Sequence, residues 1–265
     1  MASKINHVAI MSGNYALESK FYESVFGMRS SPKARPSKAV SIGDGYVGMN
    51  INPRRAGRPG RLDHFGIQVD DLEATVALIK KKYPENEVLK RPSTRPYVDL
   101  ANHDPDGNVF DLSQAKSEKL KDIYTHNDWQ SDRIISHIGI RTLNAEACAE
   151  YYMDIFDLKP ANLPIENAYG VTDGRVTLIL LQWNIKDYAH TSIVGPGMEY
   201  IGFKVEDLAK FKADVQTAGD GNPLLTPAPV GIGPAGKARL ELLERNSLGA
   251  WHIADPDGVF LDIVA

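Results

Sequence analysis

Four short segments of the chain repeat one arrangement of side chains: Asn6-His7-Val8-Ala9-Ile10, Asp63-His64-Phe65-Gly66-Ile67, Ser136-His137-Ile138-Gly139-Ile140 and Glu199-Tyr200-Ile201-Gly202-Phe203. An imidazole can carry a proton near neutral pH or bind a metal through a ring nitrogen. A lone histidine on a strand is ordinarily a hydrogen-bonded core residue. Three histidines at the same position of a repeat, each two residues before Ala or Gly, favour ligation instead. Read as strands, the segments turn Val8/Ile10, Phe65/Ile67, Ile138/Ile140 and Ile201/Phe203 to one face. The other face carries the His or Tyr beside a residue with almost no side chain, which predicts a concave surface with room for another group. Two carboxylates recur as well: Asp111 and Asp262 each lie four residues past the Gly of an Asp-Pro-Asp-Gly sequence.

The surrounding sequence supplies the elements that hold these groups. After the first strand, Leu17, Phe21, Val25 and Phe26 recur at helical spacing, with Gly27 as C-terminal cap. The pattern returns at an offset of 130, where Tyr151, Tyr152, Ile155 and Phe156 answer Phe21, Tyr22, Val25 and Phe26. The other two modules match at an offset of 136, with Asp71 and Asp207 as N-caps of helices over Leu72–Lys82 and Leu208–Ala218. Asp104-Pro105-Asp106-Gly107 and Asp255-Pro256-Asp257-Gly258 read as tight turns. The fold class is therefore α+β: four βαβββ modules in two tandem pairs, each half superposable on the other and built of two curved four-stranded sheets. The expected divisions are 1–115 for the first pair, a linker over 116–132, and 133–265 for the second.

This arrangement resembles the vicinal oxygen chelate superfamily of glyoxalases, bleomycin-resistance proteins, methylmalonyl-CoA epimerases and type I extradiol dioxygenases. The resemblance rests on the His-x-Ala/Gly strands, the Phe21-Tyr22-x-x-Val25-Phe26-Gly27 helix end and the two Asp-Pro-Asp-Gly hairpins. It implies modules paired into cups, the glyoxalase/extradiol dioxygenase fold, with ligands from the first strand of each module and the last strand of the second. Carried over, the first pair offers His7, His64 and Asp111, the two-histidine, one-carboxylate set of non-heme Fe(II) oxygenases. The second pair offers His137, Tyr200 and Asp262, with Tyr200 where a histidine is expected. Both halves have Asp where the family usually has Glu. Crosswise pairing of modules would replace His7 by His137. Four modules in one chain look most like the ring-cleaving dioxygenases, so the resemblance implies Fe(II), a small dihydroxylated aromatic substrate and O₂. Other divalent metals (Mn, Zn, Ni) and glyoxalase- or epimerase-like chemistry form the alternative, with Asn50 as a fourth ligand, and a metal-free binder of small aromatics is the third reading. A nearby His or Tyr would move protons: His252, ten residues before Asp262 where the dioxygenases carry a tyrosine, or His103, Tyr97 or Tyr200.

The remaining composition narrows the field. A net charge of −4 gives no broad attraction for nucleic acid or an anionic membrane. The arginines 54, 55, 58 and 61 are broken by Pro and Gly and read as a solvated connection. One cysteine, Cys148, excludes an internal disulfide and any thiolate cluster, and no apolar run is long enough to span a bilayer, so a cytoplasmic location is expected. A homo-oligomer is a separate expectation. Gly231-Ile232-Gly233-Pro234-Ala235-Gly236 matches a dinucleotide fingerprint as a string. Its prolines and its place in a hairpin region predict an irregular surface loop over 226–237 instead.

Overall fold

In a computed structural model, residues 3–31, 39–57, 60–92, 98–117, 129–191 and 195–265 are described, and all structural statements refer to them. The first module runs β1 (Ser3–Ser12), α1 (Tyr15–Phe26), β2 (Arg29–Ser30), β3 (Val40–Gly43) and β4 (Gly48–Pro53). The second runs β5 (Arg61–Val69), α2 (Leu72–Lys82), β6 (Leu89–Lys90), β7 (Leu100–His103) and β8 (Val109–Gln114). The third comprises β9 (Ile134–Thr142), α3 (Ala145–Phe156), β10 (Lys159–Ala161), β11 (Ala168–Thr172) and β12 (Thr177–Gln182), followed by α4 (Ile185–Thr191). The fourth comprises β13 (Gly197–Lys204), α5 (Leu208–Gly221), α6 (Gly233–Arg245), β14 (Trp251–Ala254) and β15 (Phe260–Val264). No helix is long and apolar enough to cross a membrane.

Each half forms one continuous mixed sheet rather than two four-stranded ones. The first has the order β2-β3-β4-β1-β5-β8-β7-β6 and the second β10-β11-β12-β9-β13-β15-β14. The first strands of paired modules, β1 with β5 and β9 with β13, lie antiparallel at the centre. Neighbouring strands therefore belong to modules one and two, or three and four. The helices begin and end as their caps dictate: Asp71 and Asp207 accept from the amides of Ala74 and Lys210, and Gly27 closes α1 at φ 65°. The fourth module departs from the repeat. Where the second has β6, the fourth has α6, so the loop expected over 226–237 is a helix from Gly233 onward. Pro234 sits in the first turn of that helix, where a missing N–H costs nothing.

The apolar faces read from the sequence form the core, with Val8, Ile10, Phe65, Ile67, Ile138, Ile140, Ile201 and Phe203 all buried in one cluster. That cluster runs through both halves. Phe26 of α1 stacks on Phe203 of β13 at a centroid distance of 3.9 Å, and Tyr152 of α3 lies 6.0 Å from Phe65 of β5. Polar contacts across the seam are reciprocal. Asp44 accepts from the backbone N–H of Ile135, and Asp173 from that of Ile5, both at 2.8 Å. Tyr22 donates to Asp255 at 2.9 Å and Tyr152 to Asp104 at 3.0 Å. The second acid of each Asp-Pro-Asp-Gly turn grips the start of a helix connection in the other half: Asp106 accepts from Asn144 N–H and Asp257 from Gly13 N–H. These turns are thus clamps as well as reversals.

One of these contacts carries a pH dependence. Glu18 is buried against Asp255, and burial followed by the Asp255 charge raises the Glu18 pKa far above the ordinary carboxylate range. The folded chain then binds a proton that the unfolded chain releases once pH exceeds the usual value of 4.5, so folded stability falls as pH rises. Glu18→Gln should remove this loss. Its unfolding free energy should match the parent's near pH 4 and exceed it increasingly from pH 5 to 8, by up to about 1.4 kcal/mol per pH unit, with the melting temperature rising in step. Parallel melting curves across that range would refute the shared proton.

Candidate metal centre

The central strands bring His7, His64 and Asp111 together. Register pairs His7 with Gly66, His64 with Ala9 and Gly66 with Asp111, so the three side chains rise from neighbouring positions on one face. The small residue of each motif has a direct purpose. A Cβ on Gly66 would overlap the His7 ring, one on Gly202 the His137 ring, and one on Gly139 the Tyr200 ring. The His-x-Gly pattern is a cross-strand fit, each Gly making space for the large group of the partner strand.

All three residues are buried, and their ligating atoms lie within 4.8 Å of one another. His64 Nε2 is 3.1 Å and His7 Nε2 3.8 Å from Asp111 Oδ2. The other carboxylate oxygen, Oδ1, accepts from Arg91 Nη2 at 2.8 Å and Nε at 3.1 Å. The opposite ring nitrogens also have partners: His7 Nδ1 is 2.8 Å from Asn6 Oδ1, and His64 Nδ1 is 2.8 Å from Asp63 Oδ2. Burial works to lower the His64 pKa, but hydrogen bonds and charge from Asp111 and Asp63 outweigh it and raise the group to about 9. Burial opposes ionisation of Asp111 too, yet His64 and His7 hold it far below the usual carboxylate range. A proton on His64 thus sits between two carboxylates, where a divalent cation would compete with it. Two imidazoles and one ionised carboxylate, buried and convergent, fit such a cation.

The second sheet presents a different arrangement. His137 Nε2 lies 2.8 Å from Asp262 Oδ2, and His252 Nε2 lies 3.1 Å from Asp262 Oδ1. The amides of Leu248 and Gly249 also donate to Asp262, at 2.9 Å each. Tyr200 donates to the Asn246 carbonyl at 2.7 Å, and burial followed by the Asp262 and Glu199 charges keeps its phenol neutral. Leu243 of α6 packs in one buried cluster with Tyr200, Ile179 and Leu181. Asp262 is therefore saturated by protein donors, and no group of metal-binding geometry forms there among the described residues.

Other residues singled out in the sequence divide by place. His137 is tied to Asp262 in the second sheet, so His7 accompanies His64 and Asp111. His103 uses both ring nitrogens on backbone, with the Asp104 carbonyl at 2.7 Å and the Glu87 amide at 3.2 Å. His252 holds Asp262 and Ser247. Asn50 accepts from Ser41 at 2.9 Å. Tyr97, Arg58 and His126 lie outside the described residues, as does most of the expected linker, and nothing is described of the His190 side chain. Asn6, Asp63 and Arg91 were not singled out in the sequence. The signal for the first two is present, because a hydrogen-bonding residue precedes every member of the His/Tyr set. A cleft of about 640 Å³ between the halves is lined by Arg61, Asp63, Glu199 and Arg239 and meets the centre through Asp63.

Residues 4–112 match the family model described as the Glyoxalase/Bleomycin resistance protein/Dioxygenase superfamily. The match lies within the first half of the chain, and the chain as a whole has the glyoxalase/extradiol dioxygenase fold. Among solved structures it is similar to the Mn(II)-bound glyoxalase from Novosphingobium aromaticivorans, at 14% identity and TM-score 0.65 over 98% of this chain and 81% of that one. Homoprotocatechuate 2,3-dioxygenase from Arthrobacter globiformis matches at 15% identity and TM-score 0.63, over 98% of this chain and 78% of that one. A xylose isomerase-like TIM barrel/4-hydroxyphenylpyruvate dioxygenase fusion protein matches at 14% identity and TM-score 0.62. The match covers 98% of this chain but 48% of the fusion, so the chain spans about half of that protein. No curated protein sequence matches.

Proposed function

We propose that the chain is a metal-dependent dioxygenase of the extradiol type, acting on a dihydroxylated aromatic with Fe(II) held by His7, His64 and Asp111. The observation that carries this reading is the convergent set of two histidines and one carboxylate. The isomerase reading wants a further ligand, and the residue expected for it, Asn50, is a neutral amide bonded to Ser41. Fe(II) held by these three residues would supply the means of bringing an aromatic diol and O₂ together for oxidation.

The protein groups have separable tasks. Arg91 occupies Asp111 Oδ1 and leaves Oδ2 toward the histidines, which favours ligation through one oxygen. Its partly exposed guanidinium adds positive charge beside the centre, suited to an ionised phenolic oxygen. His7 and His64 present Nε2 while Asn6 and Asp63 hold Nδ1. The expected proton-moving residues His103, His252 and Tyr200 are engaged elsewhere, so none is assigned that task here. Similarity in fold to a Mn(II)-bound glyoxalase supports an isomerase as the second reading.

Metal analysis of protein purified without chelators should find one divalent ion per chain. Anaerobic Fe(II) reconstitution, followed by oxygen-electrode assays against catechols and hydroquinones, should give oxygen uptake with loss of the aromatic absorbance. Turnover of a hemithioacetal without oxygen uptake would favour the isomerase, and failure to retain any metal would overturn both.

A further inference from the structure

The first strands of all four modules share an irregularity. In the β1–β5 ladder, register shifts between Ile5 and His7, leaving Asn6 as an extra residue, and between Ala9 and Ile10, opposite the extra residue Asp63. The β9–β13 ladder repeats this, with Glu199 extra between Met198 and Tyr200, and Ser136 extra opposite the Gly202–Phe203 step. A β-bulge re-aims the side chain it carries. Here the extra residue is, in all four modules, the one immediately before the His or Tyr.

In three modules the re-aimed oxygen meets the following histidine at Nδ1: Asn6 at 2.8 Å, Asp63 at 2.8 Å and Ser136 at 2.9 Å. The Asn6 amide is itself fixed, since its Nδ2 donates to Ser113 Oγ at 3.2 Å. That leaves only Oδ1 to face His7, so His7 Nδ1 carries the hydrogen and Nε2 presents its lone pair to the centre. Asp63 turns Oδ2 to His64 Nδ1 at 2.8 Å, and a carboxylate oxygen accepts there. His64 Nδ1 must then donate as well. Ser136 differs because its hydroxyl can donate, and His137 Nε2 is the atom facing the Asp262 carboxylate. In the fourth module Glu199 precedes no histidine and instead pairs with Arg141 at 3.2 Å and Arg239 at 2.8 Å.

We propose that Asn6 and Asp63 are positioning residues of the metal centre, each placed by a β-bulge to hold a histidine in the tautomer and orientation that binds metal through Nε2. The inference rests on the metal-centre reading above. Because Asp63 makes the ionic contact and also lines the cleft between the halves, it contributes more than Asn6. Loss of such a hydrogen-bond partner typically weakens metal binding about 10- to 100-fold.

The test measures affinity of the apo full chain for Co(II), by competition with a chromophoric chelator and by its visible spectrum, with apo melting temperature recorded in parallel. Asp63→Leu should weaken Co(II) binding about 10- to 100-fold and shift the d–d bands. Asp63→Asn, whose amide oxygen still accepts from Nδ1, should recover most of the affinity. Ser136→Ala, at the equivalent bulge of the other half, should bind like the parent. If the parent binds and His64→Ala abolishes binding, but Asp63→Leu matches the parent in affinity and spectrum, the positioning role is wrong. It is equally wrong if Asp63→Asn is as weak as Asp63→Leu, or if affinity falls only in step with melting temperature. Parent protein that binds no Co(II), or binds it unchanged after His64→Ala, removes the metal reading itself.

Discussion

Asp111→Ala should abolish metal retention, while Asp262→Ala should leave it largely intact. The two residues occupy equivalent places in the two sheets, paired with Gly66 and Gly202, so their difference is one of partners. Asp111 has one oxygen on Arg91 and turns the other to two imidazole nitrogens that a cation could share. Asp262 spends both oxygens on His137, His252 and two backbone amides. A cation at Asp262 would have to break those bonds and would find a neutral phenol in place of a second imidazole. Metal content after desalting, by elemental analysis, reads the contrast directly. Asp111→Ala also strands Arg91 and His64 around a buried void, a change that can cost about 3–5 kcal/mol. Asp111→Asn therefore serves as the shape-conserving companion: it should stay folded by circular dichroism and still lose the metal. Metal kept by both Asp111 variants and lost by Asp262→Ala would move the centre to the second sheet, with His252 as the leading acid–base group.

Gly66→Val should produce the second large effect, because the added side chain and the His7 ring claim the same space. Overpacking of this kind costs about 1–3 kcal/mol, and relief requires His7 to leave the group it forms with His64 and Asp111. Gly202→Val creates the same clash against His137. The pair separates packing from ligation: both variants should lose similar stability in thermal melts, but only Gly66→Val should lose metal affinity. Gly66→Val with undiminished affinity would show that His7 is not needed as a ligand.

Much of the fold was legible because the repeat states it four times over. The apolar alternation of the first strands, the Asp71 and Asp207 caps and the Asp-Pro-Asp-Gly reversals depend on neighbours a few residues apart, and each lies where the sequence puts it. The convergence of His7, His64 and Asp111 was legible only through the family resemblance, since the three lie on separate strands, β1, β5 and β8, and are joined by strand pairing and not by spacing. Three things were hidden. The helix at Gly233–Arg245 was masked by its own glycines and proline, which suit a helix start as readily as a loop. Arg91 stands just past the short edge strand β6 with no motif around it, so only its partner Asp111 identifies it. The β-bulges left a trace in the polar residue before each histidine. A one-residue shift of register nevertheless depends on the partner strand and cannot be read from either strand alone.

The reciprocal bonds across the seam have the form of an isologous interface, in which each patch meets its own counterpart. Asp44 to Ile135 mirrors Asp173 to Ile5, and Tyr22 to Asp255 mirrors Tyr152 to Asp104. In a homodimer of half-length chains, every substitution falls in both copies, so a helix that filled one cup would fill the other. Joined in one polypeptide, the copies are free to diverge. One can keep His7, His64 and Asp111 convergent while the other packs α6 against Tyr200 and becomes a scaffold that braces its twin.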